Sequence, residues 1–176
     1  MKDFGWSFPD EGLHQHFNDR EGAIDLYLYG RRLYENMTAF WPTADEDPTA
    51  SKQVIEYARI WKPKPKVVFS KTLEQVGWNS RLVRGNIAEE VNRLKEQPGN
   101  AMSVGGAELA ATFTRLGLID EYWLYVFPVI LGGGKRMLGP LRDPISLRLV
   151  ETRTFGTGVV LLRYQRAGGS IPRPGA

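Results

Sequence analysis

Residues 101–135 read AMSVGGAELAATFTRLGLIDEYWLYVFPVILGGGK, and they parse as strand, Gly-Gly turn, helix, strand and glycine-rich loop. Ala101–Val104 is a short apolar run that stops at Gly105-Gly106. Leu109, Phe113 and Leu116 follow at the spacing of one helix face. Gly117 stands where a helix C-terminus favours a left-handed residue. Tyr122–Val129 is aromatic and β-branched, which predicts a strand. Paired glycines between a strand and a helix let the backbone approach a ligand closely. The helix start behind them offers unpaired N–H groups and a partial positive charge, the elements of an anion site. A tight strand-to-helix turn with no ligand accounts for the same glycines, so this segment alone leaves both readings open.

Outward from this segment, strands and helices alternate. Residues 1–20 read as a polar entry segment dotted with aromatics, with Gly5-Trp6-Ser7-Phe8-Pro9 expected to pack on something. Ala23–Tyr29 reads as a strand ending at Gly30, followed by a helix carrying Leu33, Met37 and Phe40 that finishes before Pro42. Residues 43–50 form an acidic loop. Ser51–Trp61 has Val54, Ile55, Ala58 and Trp61 at helical spacing, broken by Pro63 and Pro65. Val67–Phe69 is a short strand ending at Ser70-Lys71-Thr72, and Arg81–Val83 is another. Asn86 with Glu89 reads as a capping box opening a helix with Ile87, Val91 and Leu94. Ser146–Thr154 and Gly158–Gln165 flank Phe155-Gly156-Thr157 as a hairpin. This order predicts one α/β domain over residues 1–166 and a flexible tail over 167–176. The expected architecture is three layers, α/β/α, around a mixed sheet that is mostly parallel with a C-terminal antiparallel hairpin.

The composition is that of an ordinary globular domain: 176 residues, 42% hydrophobic and 24% charged. No apolar run approaches the ~18 residues of a membrane span. MKDFGWSFPDEG has no apolar core of a secretory leader, and the absence of cysteine removes disulfide and thiolate chemistry. A cytoplasmic protein is expected. His14 and His16 are too few for a common metal site and read as a polar surface segment, so no metal is expected. The net charge is +3, with basic residues scattered rather than in runs. That favours a phosphorylated small molecule over a nucleic-acid backbone or a membrane.

Ligands of parallel sheets bind beyond the C-terminal ends of the strands. Three such ends stand out: Gly30-Arg31-Arg32, Ser70-Lys71-Thr72 and Gly105-Gly106. Each has a plain reading as a turn or a solvated loop. Jointly they supply an arginine fork, hydroxyls, a lysine and bare backbone N–H groups, a set that a nucleotide with a pyrophosphate and a further ribose phosphate would use in full. No G-x-G-x-x-G follows a strand. Gly134-Lys135 is followed by Arg136 and lacks the earlier glycine of a P-loop.

Leu28-Tyr29-Gly30-Arg31-Arg32-Leu33-Tyr34-Glu35, Val67-Val68-Phe69-Ser70-Lys71-Thr72-Leu73, Val104-Gly105-Gly106-Ala107-Glu108-Leu109 and Pro128-Val129-Ile130-Leu131-Gly132-Gly133-Gly134 occur in this order. Over residues 5–166 the chain resembles the dihydrofolate-reductase-like superfamily. The closer resemblance is to the C-terminal reductase domain of the bifunctional riboflavin biosynthesis deaminase/reductase. The resemblance implies NADPH binding, with Gly30 and Arg31 at a helix facing the adenosine phosphates. It places Ser70, Lys71 and Thr72 by the adenine ribose and its 2′-phosphate and Gly105, Gly106 and Ala107 under the pyrophosphate, and it counts Arg32, Glu108 and Leu109 among the cofactor-binding residues. It puts the 132–134 loop at a dimer contact or the substrate mouth, where a plain turn is the other reading. The implied activity is hydride transfer to a heterocyclic substrate, as in 5-amino-6-(5-phosphoribosylamino)uracil reductase or a dihydrofolate-reductase-like enzyme.

The resemblance also sets an expectation of difference. Members of that family place a central strand ahead of a Gly-Trp-Ser-Phe-like stretch, and here that stretch stands at Gly5-Trp6. A sheet without that strand would leave two open edges and a hole in the core. A truncated or non-catalytic nucleotide-binding homodimer is therefore the alternative to a reductase. The proton donor is unassigned among Asp10, Glu11, Glu35 and Glu108, each of which also reads as a surface or capping carboxylate. A homodimer is expected from the bulk of Tyr122–Phe127 together with Trp6, Phe8 and Trp41; simple core packing is the other reading of these aromatics.

Overall fold

The computed structural model describes residues 9–134 and 136–168; Gly5–Phe8, Lys135 and the tail from 169 onward lie outside the described residues. The elements are α1 (Glu11–Gly22), β1 (Leu26–Gly30), α2 (Arg31–Thr38), α3 (Lys52–Trp61), β2 (Lys66–Phe69) and β3 (Ser80–Val83). Then come α4 (Ile87–Lys95), β4 (Met102–Gly105), α5 (Ala107–Arg115), β5 (Glu121–Val126), β6 (Leu147–Thr154) and β7 (Val160–Arg166).

Four strands form a wholly parallel sheet in the order β3-β2-β1-β4. Its strands carry apolar residues on both faces, as a sheet covered on both sides requires. Leu28, Val67 and Phe69 point to one side and pack with Val91 and Leu94 of α4 and Leu109 and Phe113 of α5. Tyr27, Tyr29 and Val68 point to the other and pack with Tyr34 of α2 and Trp61 of α3. These are the three layers expected.

The antiparallel part is a separate sheet, β5-β7-β6, closed by the predicted hairpin. Trp123, Tyr125 and Phe127 pack with Phe155, Val159 and Leu161 against Leu13 and Phe17 of α1. The parallel and antiparallel strands thus lie in two ladders. Among the described residues, β4 pairs only with β1, and β5 only with β7. Between them lies a cavity of about 1370 Å³ whose walls include Leu28, Met102, Val104, Phe113, Tyr122 and Trp123.

Several ends follow local chemistry. Ser51 Oγ accepts from Val54 N at 3.3 Å and Asn86 Oδ1 from Ala88 N at 3.1 Å, capping α3 and α4. Gly117 closes α5 at φ 69°, with Leu118 N donating to Phe113 O at 2.9 Å. Two expected face residues fall outside their helices: Phe40 and Leu116 are exposed. The strand expected to run to Val129 ends at Val126, just before Pro128. Residues 11–22, read as irregular, form α1, with Asp10 Oδ1 accepting from Leu13 N at 2.7 Å. No helix among the described residues is long and apolar enough to cross a membrane.

Candidate nucleotide site

The chain lays down β1, then β2 and β3 on one flank, and then crosses to place β4 on the other flank of β1. The strand order therefore reverses between β1 and β4, the place where open α/β sheets form a crevice. β1 runs directly into α2 at Gly30, and β4 into α5 at Gly106. Neither N-cap residue, Gly30 or Gly106, makes a side-chain cap bond, and the first-turn N–H groups of a helix have no partner within the helix itself.

The two starts lie close together, and each has glycine at its N-cap. Gly106 has φ 98°, a backbone that side chains rarely adopt, and its Cβ position lies 4.0 Å from Gly30 N. A Cβ on Gly105 would collide with Leu33 Cδ2. Gly105 is thus fixed by packing and stands behind the site wall.

A pocket of about 900 Å³ opens at this point. Gly30, Arg31, Arg32, Ser70, Lys71, Thr72, Gly106, Ala107, Glu108 and Leu109 all line it, so the three strand ends singled out in the sequence converge. Arg31 Nε donates to Glu35 Oε1 at 2.8 Å, and its Nη1 donates to Thr72 Oγ1 at 2.8 Å. Arg32 Nη1 reaches Glu108 Oε1 at 3.3 Å. Ser70 Oγ accepts from Thr72 N at 3.2 Å and from Leu73 N at 3.0 Å, folding the loop after β2 back on itself. Arg84, absent from the sequence-based set, also lines the pocket. Four cations (Arg31, Arg32, Lys71 and Arg84) face two carboxylates (Glu35 and Glu108) there. Uncapped helix starts plus surplus positive charge suit an elongated polyanion such as a dinucleotide.

The carboxylates weighed as proton donors have structural surroundings. Asp10 caps α1. Glu11 lies in the first turn of α1, where the helix dipole favours an anion. Glu35 pairs with Arg31, and Glu108 with Arg32. His14 and His16 lie on α1 rather than on a strand, and His16 Nε2 sits 2.9 Å from Tyr125 Oη. Burial and the nearby Arg153 and Arg20 hold the His16 imidazole below its ordinary pKa. The 132–134 loop is exposed, with no neighbour close to a Cβ at any of its glycines.

A family model described as the RibD C-terminal domain matches residues 4–161. The chain is 39% identical over 164 residues to uncharacterized protein YyaP of Bacillus subtilis strain 168, covering 91% of this chain and 81% of that protein. It is 42% identical over 153 residues to uncharacterized protein YwjB of the same strain, covering 86% and 79%. A solved structure from Shewanella sp. PV-4, whose name associates it with riboflavin biosynthesis, aligns with a TM-score of 0.68 at 22% identity over 94% of this chain and 88% of that one. A pyrimidine reductase-like protein from Corynebacterium diphtheriae aligns with a TM-score of 0.60 at 11% identity over 92% and 83%. At these identities the two structures speak for the fold.

Proposed function

Because this chain belongs to the RibD C-terminal domain family, we propose that its pocket binds NADPH and that the protein is a reductase of a heterocyclic, ribosylaminopyrimidine-like substrate. The observation that carries the reading is a single pocket lined by two helix starts without side-chain caps, at the point where the strand order reverses, and by Arg31, Arg32, Lys71 and Arg84. In this reading Gly106, Ala107 and Gly30 offer backbone N–H groups to the pyrophosphate. Ser70, Lys71, Thr72 and Arg31 receive the ribose phosphate, which favours NADPH over NADH.

The chemistry such a cofactor supplies is a hydride at a fixed position. The chain's own residues bind its phosphates, set its direction and keep water from the reacting face. The test is fluorescence titration with NADPH and NADH, followed by NADPH oxidation in the presence of aminouracils and pterins. NADPH binding at least about tenfold tighter than NADH, a difference of about 1.4 kcal/mol, is expected; equal or absent binding of the two would refute the reading.

One observation favours a second reading, a nucleotide-binding protein without turnover. Among the described residues, the cavity between β4 and β5 leaves both strands with an unpaired edge, the shape that one further extended strand would fill. NADPH binding with no oxidation of any candidate substrate is the outcome that favours it.

Either form is read as a cytoplasmic homodimer. Tyr122 is buried in its own core, and Trp123, Tyr125 and Phe127 pack on α1. Val126, Val129, Ile130, Leu131, Met137 and Leu138 are exposed apolar residues close together in sequence, beside others such as Phe40, Trp78 and Leu149 elsewhere. Light scattering at micromolar concentration, compared with Ile130→Asp, tests the dimer.

A further inference from the structure

Arg84 follows directly on β3, on the far side of the sheet from the β1/β4 crevice. Its side chain turns back over the loop after β2. Nη1 donates to Lys71 O at 3.2 Å, and Nη2 donates to Leu73 O and, at 3.3 Å, to Glu74 O. From the opposite side, Arg31 Nη1 holds Thr72 Oγ1, while Ser70 Oγ holds the N–H groups of Thr72 and Leu73. The loop is thus gripped at its carbonyls by Arg84 and at its hydroxyls and N–H groups by Arg31 and Ser70.

We propose that Arg84 is a positioning residue that sets the phosphate selectivity of this pocket by engaging the carbonyls of Lys71, Leu73 and Glu74. The inference rests on the nucleotide reading of the same site. A carbonyl oxygen is the negative end of the peptide dipole, and three of them within residues 71–74 would repel a phosphate. With those oxygens turned to the guanidinium, the loop presents hydroxyls and Lys71 to an anion. The guanidinium reaches Lys71 O from Nη1 and the carbonyls of Leu73 and Glu74 from Nη2, two nitrogens held apart in one plane, whereas a lysine carries the same charge on a single nitrogen. Charge alone therefore does not substitute.

The experiment compares wild type, Arg84→Met and Arg84→Lys by titration with NADPH, NADH and adenosine 2′,5′-bisphosphate, with thermal melting as a check on folding. Loss of charge-assisted hydrogen bonds of this kind predicts NADPH and bisphosphate affinities about tenfold lower in Arg84→Met. NADH affinity should change by less than about threefold, and Arg84→Lys should fail to restore NADPH binding. Full rescue by lysine overturns the proposal, because charge would then suffice. Parallel loss of NADPH and NADH also overturns it, as general damage to the loop. Wild type that binds neither nucleotide overturns the nucleotide reading itself, an outcome separable from wild type that binds while the Arg84 variants match it.

Discussion

Arg31 Nη1 lies 2.8 Å from Thr72 Oγ1 and so ties the first residue of α2 to the loop that leaves β2. The contact bridges two strand ends that are neighbours in the sheet, since Gly30 is in register with Phe69. The same guanidinium pairs with Glu35 one helical turn on. Both side chains are about half exposed, and exposed pairs of this kind stabilise by less than about 1 kcal/mol. The arrangement orients a cation rather than holding the fold.

Arg31→Ala is accordingly expected to leave the melting temperature nearly unchanged, with a stability loss of less than about 1 kcal/mol. NADPH affinity should fall about tenfold, and NADH affinity much less. Calorimetric melting beside a fluorescence titration reads both. A large drop in stability would make Arg31 structural and remove it from the site.

Gly106 should tolerate no side chain. Its Cβ position has room, with Leu33 Cβ at 3.7 Å, so the obstacle is the backbone at φ 98°. Holding alanine there costs about 1 to 3 kcal/mol, or moves the start of α5 and its N–H groups. Gly106→Ala should therefore lose nucleotide binding and some stability together. Retained stability with retained binding would mean that α5 starts can shift freely and that the backbone there is no phosphate seat.

The strands and the helices α2 to α5 were legible because each carries its own local signal: apolar runs stopped by glycine, serine and asparagine caps, and the left-handed Gly117. The residues that line the pocket could be singled out for the same reason, since they stand at or just after strand ends. Helix α1 was not. Its apolar side is little more than Leu13 and Phe17, and it contains Gly12, so its stability comes from tertiary partners. Asn18 Nδ2, for example, donates to Gln53 O at 2.9 Å on α3. Pro9-Asp10-Glu11 was the available helix-start signal. Arg84 had no spacing to betray it, because its partners are carbonyls of a loop ten or more residues earlier. The split into two ladders is likewise a matter of which strands meet, which the pattern within a strand does not encode.

That split has a measurable consequence. β1 is flanked by β2 and β4, and β2 by β1 and β3, whereas among the described residues β4 and β5 each have one bonded neighbour and an edge toward the cavity. Amide hydrogen exchange should show β1, β2 and β7 as the slowest strands, with β4 and β5 exchanging faster. Protection of β4 equal to that of β1 would mean that its outer edge is covered in solution.

Lys66 gives a pH dependence whose sign can be worked out. It is buried beneath the loop before β3, with Nζ 2.7 Å from both Trp61 O and Lys64 O and 3.1 Å from Trp78 O. These partners are all backbone carbonyls. Burial, and then the neighbouring Lys64, lower its pKa from 10.5 to about 8. The unfolded chain keeps this proton up to the ordinary lysine value, while the folded chain releases it near 8. Between these values the unfolded state binds more protons, so this group's contribution to stability rises with pH through that window and is flat below it. Denaturant unfolding of wild type and Lys66→Met across the window isolates the effect, since the difference between them should change with pH only above about 8. The substitution also strands three carbonyls and should cost at least about 2 kcal/mol at neutral pH. A difference constant from neutral pH to the ordinary lysine value would show that the three carbonyls hold the proton on Lys66 as firmly as water does.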